Sequence, residues 1–255
     1  EGGITRFLAI FLHGNPPVIG PVRSSRPHFI NLEREYNAAY VHCGQSYEAL
    51  QILATDPTIY NLDQMIYAKP FWRDHSRKAP HNLYTSMEKL RKQEAKLRWD
   101  APVNGIPAFT STKRLTSGLP GKVVEIHFPG ATAYRLRLVY DAKLGGYKRY
   151  MDGKLHVDRE THKPIIAKNV IIQRVYAAPF MQSTHGTFDV EVVGRGQGVF
   201  MSGGFQENIH WRKDTLYAVT QYADDYNGGL PFRPGQTWVE IVPVDGIVLF
   251  RNTDK

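Results

Sequence analysis

Apolar residues crowd the start of the chain. Ile4, Phe7, Leu8, Ile10, Phe11 and Leu12 form a nearly continuous run, which predicts a buried strand over Ile4–Leu12. His13-Gly14-Asn15-Pro16-Pro17 is a turn signal, and Val18-Ile19 begins a second strand. A short helix is predicted over Phe29–Tyr36, with Asn31 as its cap and Glu33 and Glu35 in its first turn. Ala38–His42 reads as a short strand. Gly44-Gln45-Ser46 then turns the chain, and Ser46 caps a helix over Tyr47–Ala54. Asn61-Leu62-Asp63 opens a further short segment, and Phe71–Lys78 is a charged loop carrying aromatics. Thr85–Arg98 is the clearest amphipathic helix: Met87, Leu90 and Leu97 share a stripe while lysines, arginines and glutamates face water.

The texture changes after Trp99. Asp100–Pro120 is rich in Pro, Gly, Ser and Thr and reads as a boundary. Beyond it the period is that of strands. Val124, Ile126 and Phe128 alternate with Glu125 and His127, and Tyr134–Tyr140 alternates as well. Asp141–Gly146 turns the chain into Tyr147–Met151, a hairpin. Asn169–Tyr176 is a strand with Val170, Ile172 and Val175 facing inward. Phe188–Val193, Gly198–Met201, Tyr217–Thr220, Thr237–Pro243 and Ile247–Arg251 complete the run, without an internal repeat. The predicted architecture is α/β (α+β): a layered sandwich with a mixed sheet and packed helices over residues 1–105, followed by a β-rich C-terminal module over 106–255.

Composition changes this picture little. A chain of 255 residues, 42% hydrophobic and 22% charged, is ordinary for a globular protein and can bury a substantial core. The net charge of +8 does add something, because it favours anionic partners. Cations gather at Arg73–Lys78 and Lys89–Arg98, but Glu88 and Glu94 interleave with the second group. That group therefore reads as a solvated face, and nucleic acid is disfavoured as a partner. The single cysteine, Cys43, excludes an internal disulfide framework and a cysteine-based zinc site. No apolar run is long enough for a transmembrane helix. The chain opens at Glu1 without a methionine and runs straight into strand-like sequence. The expectation is an upstream segment that carries any targeting signal, with membrane association only through an anchor there.

Candidate chemistry centres on Ile19-Gly20-Pro21-Val22-Arg23-Ser24-Ser25-Arg26-Pro27. Prolines and a glycine stiffen this stretch, and two guanidinium forks sit three residues apart, which suits a planar anion such as phosphate or carboxylate. The bland alternative is that these arginines cap a loop through backbone carbonyls. His42 ends a strand, and His81-Asn82 follows Ala79-Pro80. Histidines at element ends beside such turns are well placed for a site, although a lone histidine is more often structural. The candidate ligand-binding residues are Glu1, Arg6, Arg23, Arg26, His42, His81 and Asn82, with His42 and His81 as catalytic candidates. No metal motif is present and no cofactor is expected. Cys43 lies next to His42, but adjacent strand residues face opposite ways, so a small buried thiol is the simpler reading. Gly194-Arg195-Gly196-Gln197-Gly198 and Met201-Ser202-Gly203-Gly204 look like phosphate cradles, yet neither G-K-[ST] nor a helix follows. Glycines within strands and hairpins explain them better.

Three pieces together resemble the YerB-like family of bacterial, often lipid-anchored, exported proteins: Glu1-Gly2-Gly3-Ile4-Thr5-Arg6-Phe7, Gly20–Pro27 and Ala79-Pro80-His81-Asn82-Leu83-Tyr84. The second half is similar to that family's C-terminal module through Lys168–Ile172, Gly203-Gly204, Trp211-Arg212-Lys213 and Gly235–Val239. The resemblance implies a layered α/β sandwich, a strand and an export or lipoprotein signal before Glu1, and a place in the cell envelope or outside the cell. It implies no settled activity. Cys43, inside the fold, is not the lipid attachment site. The element order around the arginine turn is also similar to the LytR–CpsA–Psr wall-glycopolymer ligases, whose acidic magnesium ligands have no visible counterpart here.

Three functions follow. The first is an envelope module binding an anionic ligand or glycan phosphate, with Arg23 and Arg26 clamping, His42 and His81 tuning, and Tyr40 and Tyr84 covering the site. The second is a phosphoryl or glycosyl-phosphate transferase acting on a cell-wall precursor, with a histidine as acid or base. The third is a scaffold for a protein partner. Whether the chain is an enzyme stays open at this point.

Overall fold

The structure, a computed structural model, describes residues 5–99, 115, 118–130, 134–181, 186–226 and 228–253. The chain divides into two units: an N-terminal unit of Phe7–Ile106 with Leu216–Val219, and a C-terminal unit of Glu1–Arg6, Pro107–Thr215 and Thr220–Lys255. Most of the Asp100–Pro120 boundary lies outside the described residues.

The N-terminal unit contains α1 (Pro27–Glu33), β1 (Tyr40–His42), α2 (Tyr47–Thr55), β2 (Asn61–Asp63), β3 (Trp72–Arg73), β4 (Leu83–Tyr84) and α3 (Met87–Leu97). Proline starts α1 because its missing N–H is not needed at the first helical position. The helix thus begins two residues before Phe29 and ends at Glu33, so Asn31 is not its cap. Inside the helix the Asn31 side chain accepts a hydrogen bond from Arg34 at 3.1 Å. Ser46 and Ser86 cap α2 and α3 by accepting from the N–H groups of Ala49 and Lys89.

A short mixed sheet forms around residues 19–25. Ile19 and Thr85 exchange N–H···O bonds of 2.7 and 2.9 Å, and the Val22 N–H reaches the Leu83 carbonyl at 2.8 Å. On the other side the Cys43 N–H donates to the Arg23 carbonyl at 3.1 Å and the Ser25 N–H to the Gly44 carbonyl at 2.9 Å. Parallel β1–β2 and antiparallel β3–β4 pairing complete the spatial order β3, β4, residues 19–25, β1, β2. Ile30 of α1 and Ala49 of α2 pack with Tyr40 on one face. Leu90 of α3 packs with Leu62, Leu83, Val22, Val41 and Cys43 on the other. This is the expected layered sandwich.

The central stretch depends on Gly20. Its φ is +153°, and a Cβ there would stand 2.6 Å from Tyr84 Cδ1 and 2.8 Å from the Leu83 carbonyl oxygen. Gly20→Ala is expected to destabilise the N-terminal unit by about 2 kcal/mol through overpacking. Urea unfolding followed at NMR signals of α1 and α2 measures this, and an unchanged midpoint would contradict the close approach.

The predicted strand over Ile4–Leu12 is not formed in its described part. Residues 5–12 pair with no strand among the described residues, and Phe7, Ile10, Phe11 and Leu12 are exposed. Among the described residues of this run, Leu8 is the one that packs onto the α1–α2 core. An apolar run has no strand to form where no neighbour supplies the other half of a ladder. Tyr217–Thr220 is likewise not a strand. Within the N-terminal unit the Tyr217 hydroxyl donates to Asp56 at 3.2 Å, and the Arg34 guanidinium lies 5.6 Å from the Tyr217 ring centroid.

The C-terminal unit is built from β5 (Leu119–Pro120), β6 (Val123–His127), β7 (Arg135–Asp141), β8 (Gly146–Met151), β9 (Lys154–Leu155), β10 (Ile166–Ala167) and β11 (Asn169–Val175). It continues with β12 (Ala177–Pro179), β13 (Phe188–Val190), β14 (Gly194–Ser202), β15 (Phe205–Lys213), β16 (Gln221–Asp224), β17 (Thr237–Pro243) and β18 (Ile247–Arg251). One sheet runs β10-β8-β7-β6-β18 and the other β16-β15-β14-β11-β17. Their facing sides enclose a core that includes Val124, Ile126, Leu136, Leu138, Val170, Ile172 and Met201. β11 lies between β14 and β17 and is covered on both faces, since Ile171 packs away from that core against Phe200, Leu230 and Phe232.

Candidate functional site

In the N-terminal unit the loops after the parallel segments gather at one end of the sheet. They are residues 23–26, residues 43–46 and the turn after β2; because β4 is antiparallel, the β3–β4 loop (residues 74–82) joins them. Crevices at the carboxyl ends of parallel strands are where open α/β sheets bind ligands.

The two forks of the arginine turn separate there. Arg23 Nη1 reaches the exposed His81, 2.7 Å from its Nδ1. Arg26 instead precedes α1, and its Nη1 donates to the Ser25 carbonyl at 2.8 Å. Burial pushes the pKa of the Tyr40 phenol up to about 12, opposed first by its hydrogen bond to Ser25 and least by the Arg26 charge. That phenol donates to Ser25 Oγ at 2.8 Å.

His42 is buried. Its Nδ1 lies 2.8 Å from the Gly44 carbonyl and its Nε2 2.7 Å from Asn61 Oδ1. Its ring sits 5.0 Å from that of Tyr40, on the α1–α2 side of the sheet, away from Val41 and Cys43. Asn82 is also buried, accepting from Arg73 Nη1 at 2.9 Å and donating to the carbonyls of Asp74 and Arg77. Arg6 belongs to the C-terminal unit, and Glu1 lies outside the described residues.

What the structure assembles is a different group of arginines. His81, Asn82 and Tyr84 stand on one short segment, and each receives a guanidinium: Arg23, Arg73 and Arg77 respectively, the last at 2.5 Å from the Tyr84 hydroxyl. None of the three partners is a carboxylate. Among the described residues none of these arginines forms an ion pair with a carboxylate. Arg23 and Arg73 both act on the Cys43 thiol, whose pKa is raised mainly by burial, then by Asp63, against those two charges. The thiol donates to Gln64 Oε1 at 3.2 Å. Arg73 and Arg77 are the residues that the candidate list omitted; the charge run Arg73–Lys78 was their only signal.

The same stretch concentrates the protein's charge. Between Lys69 and Arg98 stand nine lysines and arginines against three carboxylates, which is six of the chain's net eight positive charges. Lys89 of α3 lies 5.5 Å from the centroid of the Trp72 ring, so the helix continues the basic hairpin. Among the described residues no group of three His, Cys, Asp or Glu side chains is arranged to hold a metal ion.

Residues 1–100 match the family described as "Protein of unknown function (DUF3048) N-terminal domain", and residues 124–239 match its C-terminal domain. Over 244 residues the chain is 31% identical to a Bacillus subtilis (strain 168) protein named "Putative lipoprotein YerB", covering 95% of this chain and 72% of that protein. The crystal structure of the YerB protein from Bacillus subtilis is similar to this chain at a TM-score of 0.84 and 29% identity, covering 98% of this chain and 83% of the other.

Proposed function

This chain belongs to the DUF3048 family, the YerB-like proteins, and from that premise we propose that its N-terminal unit is a cell-envelope binding module for a phosphate- or carboxylate-bearing ligand. One observation carries the reading: Arg23, Arg73 and Arg77 are oriented by an imidazole, an amide and a phenol rather than by carboxylates. A neutral acceptor fixes a guanidinium in space and leaves its charge uncompensated. The remaining N–H donors are then available for charge-assisted bonds to an oxyanion. His42, Asn82 and Arg26 serve this site from within the fold, by holding the turns that present Arg23 and the 81–84 segment. The envelope location rests on the relative named as a lipoprotein.

The probe is inorganic pyrophosphate, titrated into the protein and followed by NMR. Arg23→Ala and Arg73→Ala are each expected to weaken binding about tenfold, or about 1.4 kcal/mol, and added salt to weaken it further. Equal affinity in wild type and both folded variants would remove the reading. Turnover of a lipid-pyrophosphate glycan by the same protein would move the assignment to transferase chemistry.

A further inference from the structure

The C-terminal unit holds a cation that has no counterpart among the described residues. Arg233 follows Phe232, which is buried with its ring 5.0 Å from that of Phe200. One fully buried side chain grips the main chain of Arg233 on both sides. Asn169 Oδ1 accepts from the Arg233 N–H, and Asn169 Nδ2 donates to the Arg233 carbonyl, both at 2.9 Å. The hydroxyls of Ser202 and Thr237 fix Asn169 in turn, at 3.1 and 3.0 Å. The guanidinium lies against Gly203, where an added Cβ would stand 2.2 Å from Nη2 and 2.6 Å from Cζ. Arg233 Nε is buried without a hydrogen-bond partner, and the guanidinium has no hydrogen bond or ion pair among the described residues. A buried donor left unmade costs about 1–3 kcal/mol, more when charged. A guanidinium whose backbone is held this firmly, left in that state, calls for an acceptor from outside the chain.

Gly203 and Gly204 form the two-residue turn between β14 and β15, with φ of 65° and 87°. The turn explains why glycine is needed there, but these residues do more. With Pro120, Lys122, Tyr140, Phe205 and Asn252 they line a cleft of about 410 Å³. That volume falls within the range of small-molecule sites. The Tyr140 ring presses on Gly204, 2.9 Å from where a Cβ would be. The lining contains two aromatic rings, one exposed lysine, one amide and no carboxylate. Lys122 forms no ion pair among the described residues.

We infer that this cleft binds a small molecule joining a carboxylate or phosphate to a ring, with the acid group set towards Arg233 and Lys122 and the ring against Tyr140 and Phe205. The Met201–Gly204 sequence, set aside as a phosphate cradle because no helix follows it, then works through a neighbouring guanidinium instead of a helix N-terminus. Its glycines give that guanidinium and the Tyr140 ring room to approach.

The test is an NMR titration of the full chain carrying Arg23→Ala, so that the N-terminal site is weakened in advance. Benzoate and phenyl phosphate are the anionic probes, which separates the two acid groups, and benzyl alcohol is the neutral ring. At least one anionic probe is expected to shift Tyr140, Gly203, Gly204 and Arg233 signals saturably, and benzyl alcohol to bind at least tenfold more weakly. Arg233→Gln is expected to weaken the anionic probe at least tenfold, and Lys122→Ala about threefold. Lys122 is exposed, so its variant reads the site even if Arg233→Gln disturbs the fold. Equal binding of the neutral ring, shifts confined to the N-terminal unit, or affinity unchanged in Lys122→Ala together with any folded Arg233→Gln would overturn the inference.

Discussion

Arg149→Met is expected to destabilise the C-terminal unit by about 3–5 kcal/mol near pH 8, the scale for breaking a buried ion pair by removing one partner. Arg149 on β8 is 1% exposed and Glu240 on β17 is 8% exposed, with Nε and Oε1 4.0 Å apart. Trp238 and Val242, two residues either side of Glu240, belong to the core between the sheets, and the guanidinium lies 5.1 Å from the Trp238 ring centroid. Burial raises the pKa of Glu240 and lowers that of Arg149, and each charge opposes the shift of the other. Without Arg149, Glu240 takes up a proton rather than stay ionised inside the sandwich. The loss should therefore grow with pH. Adding Glu240→Leu should recover most of it, because a well-packed apolar pair removes both desolvation costs. Urea unfolding of the single and double variants measures this, and a double variant no more stable than the single one would contradict it. His156 supplies a second readout. Its Nδ1 lies 3.1 Å from Arg149 Nη1, and its pKa is lowered by burial and then by that charge. In the variant its titration should move back up.

Glu33→Gln should have the opposite sign. Burial pushes the Glu33 carboxyl up to about 7, against the Ala38 N–H and the Arg34 charge, with Asp56 adding to the rise. Oε1 accepts from Ala38 at 3.1 Å while Oε2 is buried without a partner. Between the ordinary glutamate value and about 7 the folded state binds more protons than the unfolded state. Stability from this group therefore falls as pH rises through that window and stays low above it. The shift corresponds to about 3 kcal/mol. Glu33→Gln is thus expected to leave stability near pH 4 unchanged and to raise it by about 2–3 kcal/mol at pH 8. Parallel unfolding curves for both proteins at every pH from 4 to 8 would refute the assignment.

The elements were legible where local chemistry decides them. Ser46 announces α2 because a side-chain oxygen satisfies the first free N–H groups wherever it stands, and α3 shows in the stripe of Met87, Leu90 and Leu97. Thr237–Pro243 and Ile247–Arg251 were legible because apolar residues alternate along them. β15, at nine residues, was missed because Gln206 and Lys213 occupy buried positions and break its apolar alternation. Helix α1 was displaced because Asn31 mimics a cap while Pro27 marks the real start. Ile4–Leu12 has the composition of a strand, but composition does not supply a neighbour.

The site divides in the same way. Sequence alone determined the two-part architecture's layered N-terminal sandwich and β-rich second half, the stiff Gly20–Pro27 stretch, and the basic run from Arg73 to Lys78. These follow from spacing, capping and backbone restriction, which act over a few residues. Only the tertiary structure decided which guanidinium meets which acceptor. Arg23 reaches His81 across 58 positions of sequence because Val22 is laddered to Leu83, while Arg26 folds back onto Ser25 at the start of a helix. Arg233 reaches Gly203 because both flank Asn169 in the sheet. Hydrogen bonds between distant strands set those meetings, and their register is a property of the assembled sheet, which no window of the sequence contains.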